Sequence, residues 1–289
     1  SQLTALGIEE LSKCTHLKNI GFDDEVSFPE IEILPQLPIL EAVSIRAPLN
    51  ERAVSLLNAC DGIKSMTLRI TDSQASQAFT ALSGLESLSK VDLSGDGITE
   101  ELIVSLTRKS RSLKELYLRN HQGATLPAMN AIAELPMLEV LSLDGSNVTD
   151  NGIVALKEVP NLRWLDISNT EVTDRCLIAI GNMPKMGMLD LMSTNVSSSG
   201  LDHLSRLTEL WRLNVQGTYV QTIPNWTRDR PRLTVSYDEN QRKPARIPPV
   251  AELNSLTHAV EEFNARAGKN SIGKFEPALT TDEIVAAIR

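Results

Sequence analysis

The chain has 289 residues and a mass of 31.7 kDa, with 42% hydrophobic, 22% charged and 4% aromatic residues and a net charge of -9. That composition excludes a disordered chain, and no apolar run reaches the roughly 18 residues a membrane-spanning helix needs. The acidic balance argues against a nucleic-acid partner, because neutralising phosphates calls for a basic surface.

Taken from the N-terminus, Leu3 to Leu11 reads as the helical half of a unit whose strand is missing. The first residue is Ser1, and no charged segment followed by an apolar one opens the chain. The expectation is a processed or excised chain. A signal peptide or membrane anchor would lie outside it, so the compartment stays open.

A repeat then begins at Leu17 and restarts at Leu40, Ile63, Leu88, Leu113, Leu138, Leu162, Met186 and Leu210. The intervals are 23, 23, 25, 25, 25, 24, 24 and 24 residues. A shortened last turn is expected to put Leu233 and Val235 in a tenth strand. Each unit starts LxxLxL, whose last two apolar residues are two apart and so share one face of a short strand. Val91/Leu93, Leu116/Leu118, Leu141/Leu143 and Leu165/Ile167 are such pairs. The second half of each unit has helical spacing, as in Ile153, Leu156 and Val159, or Leu201, Leu204 and Leu207. Between the halves, Thr149-Asp150 and Thr173-Asp174 suit helix N-caps, and Pro136, Pro160 and Pro184 follow the helices. The stretches 70–82 and 121–135 lack this turn. No unit can bury its apolar side alone, so the units must stack into a solenoid lined by a parallel sheet on its concave side.

The repeat stops near Tyr237. A proline- and charge-rich linker is expected over 239–249 and a helical appendage over 250–289, with an apolar stripe at Leu253, Leu256, Val260 and Phe263. Thr280 to Glu283 reads as a capping box before a last short helix. Seven acids and seven bases make the tail neutral, so the whole -9 belongs to the repeats. A cap folded onto the last repeat is the alternative for this segment.

The pattern resembles the leucine-rich-repeat family over residues 3–238. Val148 to Ile153, VTDNGI, is similar to its cysteine-containing and bacterial subclasses. Cys14 and Cys60, ending LSKC and LLNAC two 23-residue units apart, stand where the cysteine-containing subclass places its cysteine. The resemblance implies an α/β, right-handed leucine-rich-repeat solenoid (a horseshoe), with a parallel β-sheet on the concave face, helices on the convex face and a short α-helical C-terminal tail. The domains expected are the solenoid at 1–238, the linker and the appendage. The likeness is specific for fold and nearly silent on ligand.

Catalytic chemistry is not in view. No phosphate loop, dinucleotide fingerprint, HExxH or GxSxG motif occurs, and His16, His121, His203 and His258 fall in unrelated slots. Cys14, Cys60 and Cys176 form no CxxC pair, so neither a zinc site nor a disulfide framework is expected. We therefore expect no cofactor, no metal and no enzyme.

A ligand is expected on the outward strand positions, a face about 43 Å long for ten strands about 4.8 Å apart. Its middle gathers Tyr117, Val140, Trp164, Met188 and Met192 among Asp92, Glu115, Asp144, Asp166 and Asp190. Ser142 and Arg119 join them, and Arg46, Arg69, Arg212 and Arg232 stand nearer the ends. The binding set is thus Asp92, Glu115, Tyr117, Arg119, Ser142, Asp144, Trp164, Asp166, Met188, Asp190 and Arg212. Exposed aromatic and methionine side chains with rim charges describe a protein interface, here for a protein or peptide with a basic or aromatic centre. The function expected is a non-enzymatic interaction module, with no membrane insertion and no nucleic acid. The alternative is the recognition arm of a larger enzyme, signalling or cell-surface protein. A third class is a structural or polysaccharide-binding surface protein, though stacking on a glycan would want more aromatics in line than Tyr117 and Trp164 provide.

Overall fold

A computed structural model describes residues 10–11, 13–14, 16–22, 31–60 and 62–238. Asp23, the linker at 239–249, the appendage at 250–289 and most of the Leu3–Leu11 helix lie outside the described residues.

Among the described residues one sheet of ten strands runs in chain order, every neighbouring pair parallel. The strands are β1 (Asn19–Phe22), β2 (Ala42–Leu49), β3 (Ser65–Ile70), β4 (Lys90–Ser94) and β5 (Glu115–Arg119), then β6 (Val140–Ser142), β7 (Trp164–Asp166), β8 (Met188–Asp190), β9 (Arg212–Asn214) and β10 (Thr234–Ser236). The period-two alternation decides which side of each strand is buried. Val91, Leu93, Leu116, Leu118, Leu141 and Leu165 are fully buried, while their neighbours face outward.

Helices cross back on the other side: α1 (Glu51–Leu56), α2 (Ser73–Ala81), α3 (Glu100–Lys109), α4 (Leu126–Ala133), α5 (Asp150–Ala155) and α6 (Asp174–Ile180). Threonine and acidic or amide side chains cap them as expected. Asn50, Asp72, Thr99, Thr125, Thr149 and Thr173 each accept a first-turn backbone N–H. The 70–82 and 121–135 stretches form helices despite lacking the common turn, with Asp72 and Thr125 as caps. Towards the C-terminus the crossovers tighten into 3-10 helices at Gly200–Arg206 and Asn225–Thr227.

Register agrees with the sequence reading from β1 to β9 except at the end of β2, where Arg46 and Ala47 are extra and Pro48 pairs with Arg69. β10 does not: Val235 pairs with Leu213, and Thr234 with Arg212. The last interval is therefore two residues later than expected. Val235 takes the first inward slot rather than the second, and Ser236 stands in the row of Asp190 and Asn214.

Two polar ladders tie unit to unit. After each strand from β4 to β9 one residue adopts positive φ: Gly95, Asn120, Gly145, Asn169, Ser193 and Gly217. Glycine and asparagine tolerate this region best, and Ser193 is the exception. The N–H of each of the first five donates to a carbonyl of the next unit, as Asn169 does to Met192 (2.8 Å). At the end of the ladder Gly217 N–H donates to the Asp238 side-chain carboxylate, just after β10, rather than to a backbone carbonyl (2.7 Å).

On the helix side the first residue of α5 and of α6 braces its neighbour. Asp150 accepts the Thr173 N–H and hydroxyl (both 2.8 Å), and Asp174 accepts those of Ser197 (2.7 and 2.6 Å). Asp174→Ala strips a half-buried pair of donors of a charged acceptor. It is expected to cost about 2 kcal/mol in urea denaturation; a loss below about 0.5 kcal/mol would show that water replaces the carboxylate freely.

Candidate binding face of the sheet

The outward positions form two rows in register. Asp92, Tyr117, Ser142, Asp166 and Asp190 follow one another across β4 to β8. Beside them run Lys90, Glu115, Val140, Trp164, Met188 and Arg212. Arg119 ends β5 opposite Ser94. The predicted residues other than Asp144, which lies in the turn after β6, are thus brought onto one face.

Their roles differ. Tyr117 and Ser142, expected on the exposed surface, are buried at 8% and 2% exposure. The reason for Tyr117 lies in its neighbours. Lys90 Nζ and the Arg119 guanidinium each lie 5.2 Å from its ring centre, and Trp164 meets it edge-on at 6.0 Å and 79°. Its hydroxyl donates to Glu115 (3.1 Å). Burial and the Glu115 charge push the phenol up to about 12. The cations covering it are themselves paired, Lys90 with Glu115 at 2.8 Å and Arg119 with Asp92 at 3.3 Å. Burial raises the Asp92 carboxyl against the pull of Arg119 and Lys90. Contact with Lys90 lowers that of Glu115. This end of the face is a neutral, closed network.

Towards β8 the chemistry changes. Ser142 donates to Asp166 (2.9 Å), and Ser168 donates to both Asp166 (2.6 Å) and Asp144 (3.1 Å). Asn169 donates to Asp144 (2.7 Å) and Asn214 to Asp190 (3.1 Å). Asp166 and Asp190 also accept the N–H two residues on, from Ser168 and Met192 (3.0 Å each), which ends each strand. Every donor here is neutral. Among the described residues no cation pairs with Asp144, Asp166 or Asp190. Trp164, Met188, Met192 and Val140 stand half-buried beside them, and Arg212 is exposed. Trp211, half exposed, lies against the Gly187 backbone on the flank.

Sequence reasoning missed the donors Ser168, Asn169 and Asn214 as holders of the carboxylates. Their signal was a recurrence about 24 residues apart, visible once strands are aligned. It also missed that His121 fills the turn slot held by Ser146, Thr170, Thr194 and Thr218, all buried.

Among the described residues no group of three or more metal-binding side chains occurs, and no helix is long and apolar enough to cross a membrane.

No family model matches the chain, and no curated protein matches it in sequence. Solved structures do. An internalin (inlF) from Listeria monocytogenes superposes with a TM-score of 0.57 at 16% identity, over 80% of this chain and 70% of that one. Internalin C2 from the same organism gives 0.49 at 19% identity, over 74% and 84%. Ten parallel strands alternating with helices, together with the first of these likenesses, make the fold of this chain an α/β leucine-rich-repeat solenoid.

Proposed function

We propose that the chain is a non-enzymatic protein-interaction module that binds a protein or peptide with a basic or aromatic centre on the open face of its sheet. The observation that carries this reading is the run of Asp144, Asp166 and Asp190. They are fixed by neutral donors, lack a cation among the described residues, and stand beside half-buried Trp164, Met188 and Met192. A carboxylate held in place by neutral donors keeps its charge available to a partner, and a nearby apolar surface supplies area to bury. Tyr117 belongs to the scaffold beneath Trp164 rather than to the contact surface. Arg119, Glu115 and Asp92 hold that scaffold, and Arg212 borders the acidic run. We also read the units as closest to the cysteine-containing subclass, since Cys60 ends its helical segment and is buried.

The test is affinity capture from the source organism with the native chain and a Trp164→Ala/Asp166→Arg/Asp190→Arg variant shown to be folded by circular dichroism. A partner bound at least about ten-fold more weakly by the variant is expected, and weakening with salt should accompany it. Equal capture by both would remove the site from this face. The second reading is a recognition arm of a larger protein; the sequence of the whole gene product tests it directly.

A further inference from the structure

The opposite end of the face carries the reverse charge. A recess of about 560 Å³ opens at the ends of β2 to β5, lined by Arg46, Arg69 and Arg119 together with Thr67, Ser94 and Gly95. Its geometry follows from the register. Arg69, Ser94 and Arg119 are direct neighbours on three successive parallel strands. Two long guanidinium side chains, two strand spacings or about 10 Å apart, therefore flank one short hydroxyl. β2 adds the third arginine by an irregularity. Ile45 pairs with Leu68, but the next pair is Pro48 with Arg69, so Arg46 and Ala47 are extra residues. A bulge of this kind re-aims a side chain, and Arg46 lines the same recess.

The charges do not cancel. Arg119 is engaged by Asp92 at 3.3 Å. Arg46 and Arg69 are exposed and form no ion pair with any described residue. Asp96 also lines the recess, as an exposed side chain. Three guanidiniums against two carboxylates leave positive charge in a chain whose net charge is -9. Arg46 and Arg69, which have no ion-pair partner among the described residues, line the same recess, where an anion between them would be stabilised.

We propose that this recess is a binding site for a phosphate group. Two guanidiniums that no carboxylate of the described residues pairs with match the charge of a phosphate dianion, and each offers paired N–H donors that fit two of its oxygens. The hydroxyls of Ser94 and Thr67 supply donors for the remaining oxygens, which a planar carboxylate lacks. The site is separate from the acidic run on β6 to β8, so it stands whether or not that run binds a partner.

The experiment is a titration of the full chain at pH 7.5, following arginine Nε–Hε and backbone amide resonances. The probes are inorganic phosphate, methyl phosphate and acetate, with sodium chloride at matched ionic strength as the control. Saturable shifts are expected at Arg46, Arg69 and Arg119 and at the amides of Ser94 and Gly95. Arg69→Gln should weaken them about ten-fold while leaving other resonances in place. Binding of methyl phosphate as well as phosphate identifies an esterified group, and binding of phosphate alone a free ion; both support the site. Shifts no larger than those from chloride, equal binding of acetate, or retention of binding in Arg69→Gln would overturn it. Should Arg69→Gln fail to fold, Arg46→Gln gives the same reading.

Discussion

Gly181→Ala is expected to destabilise the chain by about 3 kcal/mol, at the upper end of the cost of overpacking. Gly181 closes α6, and its α-carbon faces the 3-10 helix of the next unit. A methyl group there would fall well inside contact distance of the His203 backbone oxygen. It would also lie 3.0 Å from the His203 carbonyl carbon and 3.2 Å from the Leu177 oxygen. These are backbone atoms, so no rotamer change relieves the clash. The two crossovers would have to part, and with them Leu177 and Ile180 from Leu201 and Leu204, all fully buried. In a solenoid each unit touches only its neighbours, so the damage should be local. Hydrogen exchange should accelerate first in β8 and β9, while β3 to β5 keep their protection. Equilibrium denaturation within about 1 kcal/mol of the native chain would contradict the close approach.

Acid should expose a second weakness, at His121. Its ring is fully buried, Nδ1 accepts the Gly123 N–H (3.0 Å), and Nε2 has no hydrogen-bond partner among the described residues. Burial drives its pKa from 6.5 down to about 4. The folded state therefore holds the ring neutral where the unfolded chain binds a proton. Stability is full above pH 6.5 and falls as the pH drops towards 4, with no further loss from this group below that. The span corresponds to about 3 kcal/mol. Thr170 and Thr194 show what the slot otherwise holds, a hydroxyl donating to the carbonyl three residues back (2.6 and 2.7 Å). His121→Thr should therefore fold at neutral pH and lack this loss. Urea denaturation of both chains at pH 7 and pH 4 checks it, since contributions from carboxylates are common to the two. Parallel pH curves would show that His121 is not the acid-sensitive group.

How much of this was legible before the structure depends on the kind of pattern. The strand slots were, because burial imposes leucine or a near equivalent at fixed spacing, and the register of nine strands follows from it. The tenth strand was misplaced because Leu233 and Val235 mimic the slot, while Val235 and Tyr237 occupy it after an interval of 22 residues from Leu210 to Arg232. That the crossover at Gly200–Arg206 is a 3-10 helix was not legible, since the spacing of Leu201, Leu204 and Leu207 is shared by Ile153, Leu156 and Val159, whose unit opens with an α-helix. The left-handed turn positions were not legible, since glycine, asparagine and serine alternate there and only geometry unites them. In the candidate site, alternation placed Tyr117 outward. It could not show that Lys90, on the adjacent strand, and Arg119, on its own, would close over the ring. That Arg46 and Arg69 form no ion pair among the described residues was equally hidden, because pairing depends on side-chain reach rather than on slot.

The braces between units also bear on how such a chain can change over generations. Each reaches one unit and no further, and the donors are of one kind: the backbone N–H and hydroxyl of Thr173 in one unit and of Ser197 in the next. Excising residues 162–185 would bring Asp150 to Ser197, with the same two bonds on offer. Gene duplication or loss can thus lengthen or shorten the face by one strand, about 4.8 Å, at a time. The charge pattern along the face is then free to drift while the scaffold beneath it is inherited whole.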